Sequence, residues 1–238
     1  MRIEMVLFYD FEMMGLHKNT TPISIGIVSE DGKRFYAEFT DYDESQCDEW
    51  IKDNVIKNLC LPHMPWHTKC YERNERLERK GYIFSKMPYA PHRNAIIQYD
   101  YLKQDDGGNM EALGSIHWIS SALKKWLQQF DTIQFVSDVC HYDFVLLIDL
   151  LTNGGTALDL PENISAVCHD LNMDIARHFH VSDREAFDMS REKIMNDLCK
   201  TEDIVTGNKH NSLYDAEVIK VIYEEIGYDI WRYRPKNR

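Results

Sequence analysis

The chain has 238 residues, enough for one substantial core or two small ones, and its 44% hydrophobic and 28% charged residues are ordinary for a globular protein. A formal charge of −12 excludes passive nucleic-acid binding through a uniformly basic surface, but not a nucleic-acid enzyme whose acidic centre is neutralised by metal ions. No run approaches a membrane span, no leader pattern precedes the first strand, and six scattered cysteines make no disulfide scaffold, so the expectation is a cytoplasmic chain with no membrane partner.

In chain order, "RIEMVLFYD" (2–10) predicts a strand entering the core. "TPISIGIVSEDGKRFYAEF" (21–39) predicts a hairpin, with apolar alternation on both sides of an Asp-Gly turn. The stretch 47–59 reads as helical. Residues 60–110 read as an irregular, aromatic-rich insertion. "SIHWISSALKKWLQQF" (115–130) carries a helical stripe of Ile116, Ile119, Leu123, Trp126 and Leu127. A strand over 132–138, a helix over 143–151, a fifth strand over 164–170 and further helix follow. The last element, 212–226, repeats Leu213, Ala216, Ile219, Ile222 and Ile226 at helical spacing. Three antiparallel strands followed by alternating helix and strand predict an α/β mixed sheet. With no linker or repeat, 1–238 reads as a single domain with an insertion at about 60–110 and a basic tail at 231–238.

Asp10 and Glu12 end the first strand two positions apart and so project from one face, where two like charges call for a counter-charge. Each acidic motif also has a structural reading. Asp-x-Glu can be an exposed polar face, Asp143 an N-cap, and Ser212-x-x-Asp215 a capping box. His-x4-Asp occurs three times, as His169/Asp174, His178/Asp183 and His210/Asp215. The last is favoured because it opens a long amphipathic helix.

Asp10-x-Glu12 followed by Gly15-Leu16, "SDVCHYDFVLL" with Asp143 after Tyr142, and "HNSLYDAEV" with His210 and Asp215 resemble the three motifs of the DEDD 3′–5′ exonucleases, histidine subclass. The nearer resemblance is to the bacterial exoribonuclease group related to RNase T and the mycobacterial polyadenylate-specific exoribonuclease. It covers 1–58 and 112–226. The family often has Asn where this chain has Asp138.

The resemblance implies an RNase H-like sheet with helices on both faces and two Mg²⁺ or Mn²⁺ ions held by Asp10, Glu12, Asp143 and Asp215. It implies that Asp10 bridges both ions, that Glu12 and Asp215 complete the site of the attacking water, and that Asp143 serves the other ion. His210 is the implied general base, an imidazole whose charge changes near neutral pH. The backbone at Met13, with Gly15, is implied to meet the terminal 3′-hydroxyl, and Leu16 to wedge against the bases. Met14 reads as packing.

The implied activity is removal of nucleoside 5′-monophosphates from 3′ ends, with RNA favoured and a homodimer expected. The alternatives are a 3′–5′ DNA exonuclease, a nuclease of small or cyclic oligonucleotides, and a non-catalytic nucleic-acid-binding module of the same fold.

Three segments carry weaker signals. Cys60, His63, His67 and Cys70 form a C-x2-H-x3-H-x2-C pattern able to hold structural zinc, although a loop with scattered His and Cys is the preferred reading. Segment 71–80 pairs Glu72 with Arg76 and Glu75 with Arg79, as a solvated helix does, or guides a nucleic-acid backbone. The tail "WRYRPKNR" mixes cations with aromatics, which suits contact with a nucleic-acid strand.

Overall fold

The computed structural model describes residues 5–61, 83–85, 100–200 and 203–231. Their centre is strand β1 (Met5–Met13), buried on both faces by its own alternation. Leu7, Tyr9, Phe11 and Met13 enter one core layer, while Phe8 enters the layer opposite. Asp10 and Glu12 continue the Phe8 face.

The hairpin forms as expected. β2 (Pro22–Ser29) and β3 (Arg34–Phe39) meet at a turn in which Gly32 adopts φ 87°, a conformation an L side chain resists. β4 (Ile83–Ser85), β5 (Asp100–Gln104) and β6 (Met110–Gly114) widen the sheet on one side. β7 (Ile133–Ser137) and β8 (His169–Asp170) widen it on the other. The order is β4-β5-β6-β3-β2-β1-β7-β8. Within it, β3-β2-β1 are antiparallel, while β7 and β8 run parallel to β1. That five-strand core is the RNase H-like arrangement.

Helices cover both faces. α2 (Ile116–Leu127), capped by Ser115, and α3 (Cys140–Thr152) pack against the Leu7 side. α4 (Leu171–Phe179), α6 (Arg191–Leu198) and α7 (Ser212–Trp231) pack with Phe8 and Val136 on the other side, joined by the short α5 (Asp183–Asp188) through Ala186. Among the described residues no helix is long and apolar enough to cross a membrane.

Three expectations change. The insertion at 60–110 is not irregular throughout, since β4 pairs with β5, β5 with β6, and β6 with β3 of the main sheet. The turn between β5 and β6 is closed by Asp105, which accepts from Asn109 N at 2.9 Å. The helix over 47–59 breaks into α1 (Glu49–Asn54) and a 3₁₀ turn over Ile56–Asn58. The strand over 164–170 shrinks to two residues and one bridge between Ile133 and Ile164. There the side chains of Gln134 and Ser165 take the Val167 carbonyl, at 2.6 and 3.1 Å, in place of a strand neighbour. His63, His67, Cys70, the 71–80 segment and the tail beyond Trp231 lie outside the described residues.

Candidate active site

The site lies where β1 meets the first turn of α7. Asp10 pairs with Gly26 and Glu12 with Ser24, and the register shifts between Glu12 and Met13. A Cβ on Gly26 would lie 2.3 Å from Leu213 N and from Ser212 C, so the missing side chain is what lets the helix reach the sheet. The buried hydroxyls of Ser24 and Ser212 meet at 2.9 Å and tie the two elements together.

The cap of α7 is Asn211 rather than Ser212. Its Oδ1 accepts from Tyr214 N at 3.2 Å, and its Nδ2 donates to the Asn58 carbonyl at 3.0 Å. The capping-box reading of Ser212 and Asp215 therefore fails, and the Asp215 carboxylate, which takes a hydrogen bond from the His210 backbone, lies beside Glu12. His210, just before the cap, holds a left-handed φ of 61°, uncommon for a non-glycine residue.

Asp143 is not an N-cap either. α3 begins at Cys140, so Asp143 lies inside its first turn, fully buried. Ser137 positions it, accepting from Val139 N at 3.1 Å and donating to Asp143 Oδ2 at 2.5 Å. Asp143 Oδ1 is buried with no protein partner among the described residues. The preceding Tyr142 donates its hydroxyl to the Leu16 carbonyl at 2.9 Å, pinning the loop after β1.

Two groups of ligand-bearing side chains result. Glu12, His210 and Asp215 bring one donor atom each within 4.8 Å of one another, and so do Asp10, Asp138 and Asp143. His210 Nδ1 stands 3.7 Å from Glu12 Oε1, and the His210 ring meets Trp50 edge-on at 5.0 Å between centroids. Burial, with neighbouring carboxylates reinforcing it, pushes Asp10 and Asp143 well above the usual carboxylate range. The same causes, burial first and then the charges of Glu12 and Asp138, push Asp215 up to about 9. So many crowded acids, one of them with an unsatisfied buried oxygen, fit hard divalent cations, which take oxygen ligands.

The five carboxylates and His210 line a cleft of about 510 Å³, which Met13, Gly15 and Leu16 also line. Leu16 is 55% exposed, while Met14 is buried against Ile23, Ile51 and Val55 as packing. The other two His-x4-Asp pairs are elsewhere. His169 hydrogen-bonds Asp174, and neither this pair nor His178 and Asp183 lines the cleft. Cys60, the one described member of the zinc quartet, accepts from Asn211 Nδ2 at 3.3 Å.

Sequence reading assigned no role to four cleft residues or supports. Asp138 had a signal, as the departure from the family's Asn. Trp50 had one too, as the aromatic of a short helix between Glu49 and Ile51. Ser137 and Arg191 had none, because their roles are set by contacts across the fold.

The solved structure of S. pombe Pop2p in its Mg²⁺- and Mn²⁺-bound form is similar at a TM-score of 0.48 and 13% identity, covering 95% of this chain and 84% of that one. The 3'-5' exoribonucleases MT2234.1 and Rv2179c of two Mycobacterium tuberculosis strains are each 36% identical over 55 residues, 23% of this chain. The matched stretch spans 33% of the length of each relative. A family model described as the 3'-5' exoribonuclease Rv2179c-like domain matches residues 5–227, and the chain belongs to that family.

Proposed function

We propose that this chain is a metal-dependent 3′–5′ exonuclease that acts on RNA and releases nucleoside 5′-monophosphates. The observation that carries the reading is the two ligand-bearing groups, Glu12 with His210 and Asp215 and Asp10 with Asp138 and Asp143, the last with its Oδ1 buried and without a protein partner among the described residues. Such a cluster repels itself unless cations neutralise it. The preference for RNA rests on the family to which the chain belongs.

Asp10, Glu12, Asp143 and Asp215 would hold two Mg²⁺ or Mn²⁺ ions. When bound, the ions would supply an activated water and stabilise charge on the attacking and leaving oxygens. His210 takes the proton from the water that attacks the terminal phosphorus. The P–O3′ bond to the penultimate nucleotide then breaks. Glu12 lies 3.7 Å from His210 Nδ1, and the Trp50 ring, meeting the imidazole edge-on, limits its rotation. The backbone at Met13 and Gly15 receives the terminal ribose. Leu16 and Trp50, both about half exposed at the cleft, offer apolar surface to the bases.

The test is digestion of 5′-labelled single-stranded RNA and matched DNA with Mg²⁺, Mn²⁺ or EDTA, beside Asp10→Asn. A ladder that shortens from the 3′ end with metal, and is absent with EDTA and in the variant, is expected, with RNA cut faster. Intact polymers under every metal condition would overturn the reading.

A further inference from the structure

Arg191 opens α6 beside the acidic cluster, and its side chain and that of Asp138 are only 14% and 13% exposed. Its Nε donates to Asp138 Oδ2 at 2.6 Å. One terminal nitrogen donates to the carbonyls of Ala186 and Met189 at 2.9 and 2.8 Å, and the other to Asn172 Oδ1 at 2.5 Å. Asn172 Nδ2 returns to the Asp138 carbonyl at 2.5 Å and to Asp170 Oδ1 at 2.9 Å. A guanidinium carries five N–H groups in a rigid fork, and four are committed to protein acceptors. That excludes a mobile phosphate clamp.

The network joins three pieces of chain: the β7–α3 junction through Asp138, the β8–α4 start through Asn172, and the α5–α6 turn through Ala186 and Met189. The α5–α6 turn is a wall of the cleft, and presents Phe187, Asp188, Met189 and Ser190 to it. Asp138 lies in the Asp10 and Asp143 group, yet one of its oxygens is held by Arg191. Its charge is thereby balanced within the protein, unlike those of its two neighbours.

We propose that Asp138 and Arg191 are a positioning pair, outside the metal-ligand set, that holds the α5–α6 wall at a set distance from the acidic cluster and so determines how the 3′-terminal nucleotide seats. The inference rests on the exonuclease reading. An Asn at 138 still offers Nε an acceptor, whereas a Lys at 191 lacks the fork that reaches three partners at once.

The experiment compares Asp138→Asn, Asp138→Ala, Arg191→Lys and Arg191→Met by steady-state kinetics on a labelled RNA oligonucleotide, by the Mn²⁺ concentration at half-maximal rate, and by melting temperature. Asp138→Ala, Arg191→Met and Arg191→Lys should each raise KM about tenfold with kcat within about threefold, and Asp138→Asn should restore KM. A Mn²⁺ requirement raised about tenfold in either Asp138 variant would tie Asp138 to the metal ions, as a ligand or as a group that orients one, and overturn the proposal. Lower melting temperatures with unchanged KM would reduce the pair to a structural role and overturn it as well. If the wild type cuts no polymer, the exonuclease reading fails by itself. Calorimetric binding of adenosine 5′-monophosphate with Mn²⁺ then decides the pair: about tenfold weaker binding in Arg191→Met supports it, and equal binding overturns it.

Discussion

Asp10 and Gly26 face each other across the β1–β2 ladder, and Gly26 is the point where the first turn of α7 touches the sheet. One register pair thus links the central acid to the helix that carries Asp215 and follows His210. Gly26→Ala inserts a methyl group 2.3 Å from helix backbone that cannot yield as a side-chain tip would. It should cost about 1–3 kcal/mol of stability. Activity should fall further than that of a surface variant of equal stability, because Asp215 moves with the helix. Urea unfolding beside exonuclease assays checks both.

Ser137 is the only hydrogen-bond partner recorded for the Asp143 carboxylate among the described residues. Ser137→Ala leaves both oxygens of a buried acid without a protein partner and frees the carboxylate to rotate. The metal concentration needed for half-maximal rate should rise by about 10- to 100-fold, the range for loss of a group that orients a ligand. A metal titration of the rate measures it, and an unchanged requirement would remove Asp143 from the ligand set.

Crowding of the acids predicts an inverted pH dependence of stability in metal-free protein. Asp215 titrates near 9 in the fold against an ordinary 3.8, and Asp10 and Asp143 shift the same way. Between those values the folded chain binds more protons than the unfolded one, so stability falls as pH rises through the window. In EDTA the melting temperature should be higher at pH 5 than at pH 8, by about 5 °C or more. Mn²⁺ should close the gap, since it binds the deprotonated carboxylates of the native state. Calorimetric scans at the two pH values, with and without Mn²⁺, give the answer.

His210 stands at the cleft without a committed hydrogen bond to Glu12, at 3.7 Å. His210→Ala should lower kcat by about 10²- to 10⁴-fold, the contribution of a positioned general base. Mn²⁺ binding measured by calorimetry should persist, because the four carboxylates remain. Equal loss of metal binding would recast His210 as a ligand.

Much of this was legible in local pattern. Alternation in β1 placed Asp10 and Glu12 on one face because strand side chains repeat every two residues. Asp31 and Gly32 marked the hairpin, and the 3.6-residue repeat marked α2 and α7. The edge strand β4 and its neighbours β5 and β6 were missed. They are short, and pairing with β3 and one another stabilises them, not any pattern of their own. The reverse happened at 164–170, where apolar residues suggested a strand but side-chain hydrogen bonds to Val167 displaced the ladder.

The amino-acid pattern alone was enough for the three antiparallel strands, the acids that end β1, and the order in which the motifs arrive, because these depend on periodicity and chain direction. It favoured the last of three His-x4-Asp pairs, and left two capping readings and the place of Asp138 open. Contacts across the packed fold bear on each of them. His169 is taken by Asp174, Asn211 relieves Ser212 and Asp215 of capping, and Arg191 reaches Asp138 from 53 residues away. Each outcome depends on which polar group lies within about 3 Å of another, and residues far apart in the chain reach that distance only after the core has packed.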